Sequence, residues 1–293
     1  MIVRNARSRR WKNRLAITIM ALMVMVCLVP LLSLTISLLY RGLKGLSWQF
    51  LTSLPLASPA GIGNAILGSL VILLVASCFA VPLGLLVGLF LSQRQHSRMG
   101  HVTRTLLDVM SGIPAIVVGM FVYTLMVRPM HGTSALAGGI ALGIIMLPIF
   151  ARTAEEGVKQ IPATVMEAGL GLGLPRRTVI MRVMLRSAMP SVLTGFFLAL
   201  ARVGGEAAPL LFTVGGNNYW PSSSWSDLLT CKFLTEQAAS LPVAIYSFAQ
   251  DQRPAMRDAV WTAGLVLVTM ILLIRLSTKA IIRWRYGQQG ENA

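Results

Sequence analysis

The stretch Arg152-Thr-Ala-Glu-Glu156, followed by Ile161-Pro-Ala-Thr-Val-Met-Glu167-Ala-Gly-Leu-Gly-Leu-Gly173-Leu-Pro-Arg-Arg177, is polar and lies between two apolar runs. The first run closes at Pro148 to Phe150. The second starts near Pro190 and carries Arg202 and Glu206 within it. A long polar loop with short helices of its own, beside a span that holds ions, is unusual for a simple membrane anchor. It implies a membrane protein that takes a mechanical input at the loop and handles a polar solute between its helices.

The totals agree. Of 293 residues, 55% are hydrophobic and 12% charged, with a mean hydropathy of +0.70. Such values are too apolar for an ordinary soluble domain and call for several spans of an all-α membrane protein. A net charge of +16 would suggest nucleic acid in a soluble chain, but membrane proteins keep Lys and Arg in their cytoplasmic loops. Cys27, Cys78 and Cys231 have no disulfide or metal spacing. No GxxxxGK[ST] loop is present, so any use of ATP falls to another polypeptide. No catalytic residue, metal site or cofactor is expected.

Taken in order, residues 1–14 form a basic N-terminus with Arg4, Arg7, Arg9, Arg10, Lys12 and Arg14. An uncleaved first span follows over 15–40, too long for a signal-peptide core. Residues 41–63 read as an outer, periplasmic loop, and 64–284 as the transmembrane domain. Its spans are expected at 64–91, 105–127, 135–150, 189–213 and 258–282. Residues 92–104 would be a cytoplasmic loop with Arg94, His96, Arg98, His101 and Arg104. Asp108 would simply reach the interface. The outer segment 214–257 holds Trp220, Trp225 and a short apolar piece, 241–248, placed along the interface. Arg283, Trp284, Arg285 and Tyr286 make a basic and aromatic anchor before the tail, 285–293. Nineteen of the 26 Lys and Arg fall in segments read as cytoplasmic, six outside, and Arg202 lies in a span. That asymmetry favours six spans with both termini in the cytoplasm.

Within the loop at 160–190, Thr164 and Glu167 have capping-box spacing, while Pro162 is an equally good helix start. Gly171 and Gly173 suit a helix end, and Pro175 can open a second short helix. The apolar residues of such a knob need cover. A partner protein and the membrane surface both provide it.

Here a resemblance enters. Glu167-Ala168-Gly169, three residues, Gly173 and Leu174, then Val183-Met-Leu185-Arg186 is similar to the EAA-x3-G-x9-I-x-L-P loop of ABC importer permeases. Gly169, Val183 and Arg186 depart from its second Ala, its Ile and its Pro. Arg202-Val-Gly-Gly-Glu-Ala-Ala-Pro-Leu-Leu-Phe-Thr213 resembles the R-x-x-G-E-T-A-P-L-L-F-T segment of the phosphate permeases of the PstA family. Ser111 to Tyr123 and Arg152-Thr-Ala-Glu155 resemble two further segments of that family, and the likeness covers nearly the whole chain.

The resemblance implies a type I ABC importer permease with MetI-like architecture and a cytoplasmic coupling helix around Glu167, Ala168, Gly169, Gly173 and Leu174. It implies location in the cell inner membrane beside a homologous, PstC-like permease. It also implies two PstB-like ATPases and a PstS-like periplasmic phosphate-binding protein. Arg152, Glu155, Arg202 and Glu206 are the charged residues it associates with phosphate passage.

The residues themselves leave more open. An Arg at mid-bilayer costs about 2.5–3.5 kcal/mol on insertion scales. Arg202 and Glu206, four apart, can meet as an internal pair, or Arg202 can face a path and bind an anion. Arg152 and Glu155 sit near the inner interface, where snorkelling is an alternative. A guanidinium grips phosphate oxygens in a planar fork. Glu206 can accept a hydrogen bond from the proton that phosphate still carries near neutral pH and that sulfate lacks. Gly204, Gly205 and Pro209 either loosen the helix beside these ions or serve tight packing. A sulfate or molybdate permease, a proton-coupled secondary transporter using Glu155 and Glu206, and a membrane signalling component are the rival readings.

Overall fold

The computed structural model of the chain describes residues 6–57, 60–220 and 232–286. Arg4, Trp225, Cys231 and the tail residues 287–293 lie outside the described residues, as do the side chains of the anchor at 283–286. The described residues are all-helical, with no strand. In chain order the helices are α1 (Ala6–Gly45), α2 (Trp48–Thr52), α3 (Gly63–Gln93), α4 (Arg98–Gly112), α5 (Ala115–Val122) and α6 (Ala135–Lys159). Then come α7 (Ala163–Gly171), α8 (Arg176–Val203), α9 (Ala208–Thr213), α10 (Leu241–Gln250) and α11 (Pro254–Tyr286). Helices α1, α3, α6, α8 and α11 are long and apolar enough to cross a membrane, and the bent pair α4–α5 makes a sixth candidate.

The core is the crossing of α3, α6 and α8 around Ile72, Leu142, Met146, Phe150, Val192 and Leu200. Helices α3 and α6 run parallel and touch through small residues. A Cβ added at Gly139 would meet Val75 at 2.3 Å, and one at Gly88 would meet the Ala154 Cβ at 2.7 Å. Helix α8 returns antiparallel to α6, with Gly195 against Thr153 and Gly157 against Ser191. Lipid is as apolar as leucine, so close backbone approach and van der Waals packing hold such helices together. Helix α1 stands apart, its most apolar window exposed throughout. It packs on α11 at Gly42 and Gly45, with Arg41 over the Trp261 ring at 5.0 Å. Helix α10, the piece expected along the interface, packs on α3 and α11 with Leu241, Val243 and Phe248 buried. The Leu241 N–H donates to Ser69 Oγ at 2.8 Å.

Four expectations are corrected. The span at 105–127 is not straight: α4 and the segment Ala115–Val127 meet at 96°. Pro114 forces Ile113 into extended backbone (ψ 128°) and has no N–H to carry the helix through. The loop at 92–104 shrinks accordingly, because Arg98, His101 and Arg104 already belong to α4. The polar residues 152–159 are not loop but the last turns of α6, where Glu155 pairs with Arg152 and Lys159 at i−3 and i+4. The fifth span starts at Arg176 and stops at Val203, so Pro190 sits inside it rather than in its first turn. Gly204 and Gly205 end it, and α9 is a separate helix.

Close packing at α3–α6 gives a direct test. Gly88→Val should lower the melting temperature in detergent by roughly 2–12 °C, a strain of about 1–3 kcal/mol. Gly171→Ala, with nothing within 4 Å of the added carbon, should leave it unchanged in the same thermal-shift series.

Candidate functional site

Three features stand out: a buried ionic cluster, an exposed ion pair at a helix break, and the α7 knob.

The cluster centres on Glu155, whose side chain is 2% exposed. Burying a carboxylate is tolerable only with full pairing, and here three cations supply it. Arg104 lies at 2.7 Å, Lys159 at 2.6 Å and Arg152 at 3.6 Å. Arg104 does more than pair. Its Nη1 donates to the Gln95 carbonyl at 2.9 Å and its Nη2 to the Leu91 carbonyl at 3.0 Å. One guanidinium thus ties the end of α3, the turn after it, helix α4 and helix α6 together. It adds a donor to the Leu91 carbonyl, which the Arg94 N–H also reaches at 3.3 Å, and one to the Gln95 carbonyl in the turn. Arg152 also pairs with Asp108 of α4, whose side chain is 66% exposed.

The second feature lies farther along α8. Arg202 Nη1 donates to Glu206 Oε1 at 2.6 Å, with side-chain exposures of 66% and 19%. The pair bridges the end of α8 and the non-helical link to α9, so Glu206 is not on Arg202's helix. Thr194, Leu198 and Arg202 form one exposed stripe on α8. From Thr153 beside Gly195, Arg202 lies about 10 Å further along the helix axis at 1.5 Å per residue. No hydrogen bond or ion pair among the described residues links it to the Glu155 cluster.

The third feature is α7. Pro162 precedes its first residue with no side-chain cap, so the capping box at Thr164 and Glu167 does not form. The other end follows sequence logic closely. The Gly173 N–H donates to Leu170 O at 2.9 Å, and the Leu174 N–H to Gly169 O at 3.2 Å. With Gly173 at φ +77°, this is a Schellman stop that glycine alone adopts cheaply. Gly169 is buried against Val179, which a Cβ would meet at 2.8 Å. Glu167 and Ala168 are exposed, as are Leu170, Leu172 and Leu174. The expected second short helix is instead the first turns of α8.

Two partners of Glu155 escape a reading of the sequence. Lys159 stands four residues on and was within reach of helical spacing. Arg104 is 51 residues away and had no local signal. Asp108, read as an interfacial residue, is the partner of Arg152.

Removing one side of a buried pair strands the other charge. Arg104→Met should cost about 3 kcal/mol or more and speed amide exchange across residues 98–112. Asp108→Asn, at an exposed position, should change stability by less than about 1 kcal/mol. Hydrogen-exchange mass spectrometry on the two variants separates these outcomes.

The comparisons with known proteins bear on this geometry. The family described as binding-protein-dependent transport system inner membrane component matches residues 80–285. The phosphate transport system permease protein PstA of Xylella fastidiosa (strain Temecula1) is 36% identical over 280 residues, covering 94% of each chain. That of Yersinia pestis is 35% identical, over 93% of this chain and 90% of its own. The probable PstA of Methanocaldococcus jannaschii is 32% identical, over 93% and 94%. Among solved structures, a chain of the inward-facing methionine ABC transporter MetNI superposes with a TM-score of 0.60 at 17% identity. The match covers 76% of this chain and 94% of that one, and it establishes the shared permease fold. A permease of this class is a multi-pass inner-membrane subunit without enzymatic activity of its own, working with a second permease and with ATPase subunits. The chain belongs to the binding-protein-dependent transport system inner membrane components and, within them, to the PstA family of ABC importer permeases.

Proposed function

We propose that this chain forms half of the transmembrane path of an ATP-driven importer for inorganic phosphate. Relatives named as phosphate permeases, aligned over nine-tenths of both chains, carry the choice of cargo. The exposed Arg202–Glu206 pair at a helix break is the observation that gives the cargo a place to act. A guanidinium left two-thirds exposed in a spanning helix has donors to spare for an oxyanion. The non-helical link Gly204 to Ala207 adds backbone groups, tolerated at membrane depth where they line a cavity. Glu206 accepts a hydrogen bond from protonated phosphate oxygen, which sulfate cannot donate.

Arg152 and Glu155 divide the work differently. Glu155 is saturated by its three cations and holds the cytoplasmic end of α6, while Arg152 keeps part of its guanidinium exposed and meets the anion on its way out. The 1–14 segment and both termini lie in the cytoplasm, 41–63 is periplasmic, and 64–284 with the 160–190 loop forms the permease unit. A PstC-like permease covers the exposed stripe of α8. Two PstB-like ATPases supply the force through α7, and a PstS-like protein delivers phosphate from outside. Because ATP favours one arrangement of the assembly, closure of the ATPases pushes on Glu167 and the exposed leucines of α7 and rebalances the spans.

In proteoliposomes holding the assembled importer, Arg202→Gln should reduce phosphate uptake by roughly 10- to 100-fold, the worth of a charge-assisted contact. Glu206→Gln should narrow the preference for phosphate over sulfate. Unchanged preference in that variant removes the role given to Glu206.

Glu167→Arg should abolish co-purification of the ATPase subunits with the permease while leaving the thermal stability of the membrane part intact. Full retention of the ATPases would place docking elsewhere.

A further inference from the structure

We propose that the cleft between the α3–α4 turn and α7 is a second anion site, taking a phosphate-type oxyanion at the face of the bundle that carries α7. The cleft has a volume of about 590 Å³, within the range of small-molecule sites. Arg94, His96, Lys159 and Arg176 line it, and no carboxylate does among the described residues. Three helices begin at its wall: α4 with Ser97 as its N-cap, α7 with Ala163 as its first residue, and α8 with Arg176 as its first. Each helix start leaves N–H groups unpaired and concentrates partial positive charge, the arrangement that holds phosphate groups elsewhere.

The opposing charges are already spent. The end of α3, which also reaches the cleft, has its Leu91 carbonyl covered by Arg104. Glu155 is enclosed behind Lys159, whose ammonium it holds at 2.6 Å. Arg176 is steadied by a 3.3 Å bond to the Gln93 side chain, which accepts one of its donors and leaves the others for a ligand. Arg94 makes no side-chain ion pair among those found in the described residues. The site is distinct from the Arg202–Glu206 pair, since the packed Glu155 cluster stands between them.

Ala163 and Met166 of α7 form one wall. An anion seated there therefore touches the segment that bears on the ATPases, and its occupancy modulates how readily α7 moves. This consequence rests on the proposed role of α7; binding itself does not. The oxyanion has two sources, free phosphate and the headgroup of an anionic lipid, with the same chemistry.

The test uses the assembled importer in nanodiscs, without ATP or binding protein, so that no transport is required. In zwitterionic lipid, saturable binding of radiolabelled inorganic phosphate is expected. It should survive Arg202→Gln and weaken by about tenfold or more in Arg94→Gln/Arg176→Gln. Both replaced side chains are exposed, so folding and subunit co-elution should persist. A parallel arm measures retention of phosphatidic acid by native mass spectrometry. Retention by the wild type and release by the double variant assigns the site to a headgroup and also supports it. If the double variant holds both ligands as tightly as the wild type, or if only Arg202→Gln abolishes phosphate binding, the site does not exist. Failure of phosphate uptake in proteoliposomes would count against the importer reading alone.

Discussion

A carboxylate with almost no solvent contact cannot remain charged in a membrane protein unless cations come to it, and Glu155 draws three. Two of them, Arg152 and Lys159, arrive on the same helix through i−3 and i+4 spacing. The third, Arg104, must come from α4, and it brings the end of α3 along by binding two of its neighbouring carbonyls. A network of this kind is weak evidence for stability, because the desolvation of each ion offsets much of the attraction. What it provides is placement. The position of α4, ahead of the 96° turn into α5, follows from Pro114 breaking the helix and Arg104 being held against α6. The α3–α4 turn then faces α7 across a basic cleft. That one buried acid thus fixes how α3, α4 and α6 meet at this end.

Farther along the bundle the same rule is met by opposite means. Among the described residues Arg202 has a single ion-pair partner, Glu206, and most of its side chain is uncovered. Instead of a dense network, the chain supplies a broken helix. The Glu206 N–H turns back to the Val203 carbonyl at 3.1 Å, and two glycines separate the end of α8 from α9. Pro209, at the start of α9, packs tightly on Gly119 of α5, where an added Cβ would come within 2.6 Å of its Cα. The break is therefore anchored on one side and open on the other. Of Gly204, Gly205 and Pro209, the proline serves close packing, while Gly204 is buried with helical dihedrals at the end of α8.

Much of this was legible in the residues. Apolar runs of sufficient length located the spans, Pro162 and Pro175 marked the beginnings of α7 and α8, and Gly173 marked the stop between them. The Arg202–Glu206 pair followed from spacing alone, even though the intervening helix break changes how the two meet. Three things were hidden. Ile113–Pro114 falls inside the span expected at 105–127, and nothing in the local pattern tells a kink from the 96° turn that forms. Residues 152–159 looked like loop because they are polar, but their charges neutralise one another along the helix. The Arg104–Glu155 bond joins residues 51 positions apart, a distance no local pattern spans. Local signals reveal caps, breaks and i+4 pairs; long-range ion pairs become visible only when the helices are packed.

The correction to the fifth span carries the greatest mechanical consequence. Two short helices and a separate span would transmit force poorly, since each joint absorbs displacement. The observed α8 is one helix of 28 residues, roughly 40 Å long. It starts beside Gly169 of α7, where Val179 packs against the glycine, and it ends at Val203, one residue past Arg202. Its first turns, Val179–Met184, are wound more widely than an α-helix. A wide turn is a natural place for a helix to flex, and this one lies directly under α7. Beyond it the helix is held on α6 by the Gly157–Ser191 and Gly195–Thr153 approaches. A push on α7 thus meets a compliant segment first and then a stiff rod clamped against the Glu155-bearing helix. The rod also packs on α11, and its far end carries Arg202, whose guanidinium is two-thirds exposed. In the proposed importer, the link between motor and cargo is therefore a lever whose pivot is made of glycines.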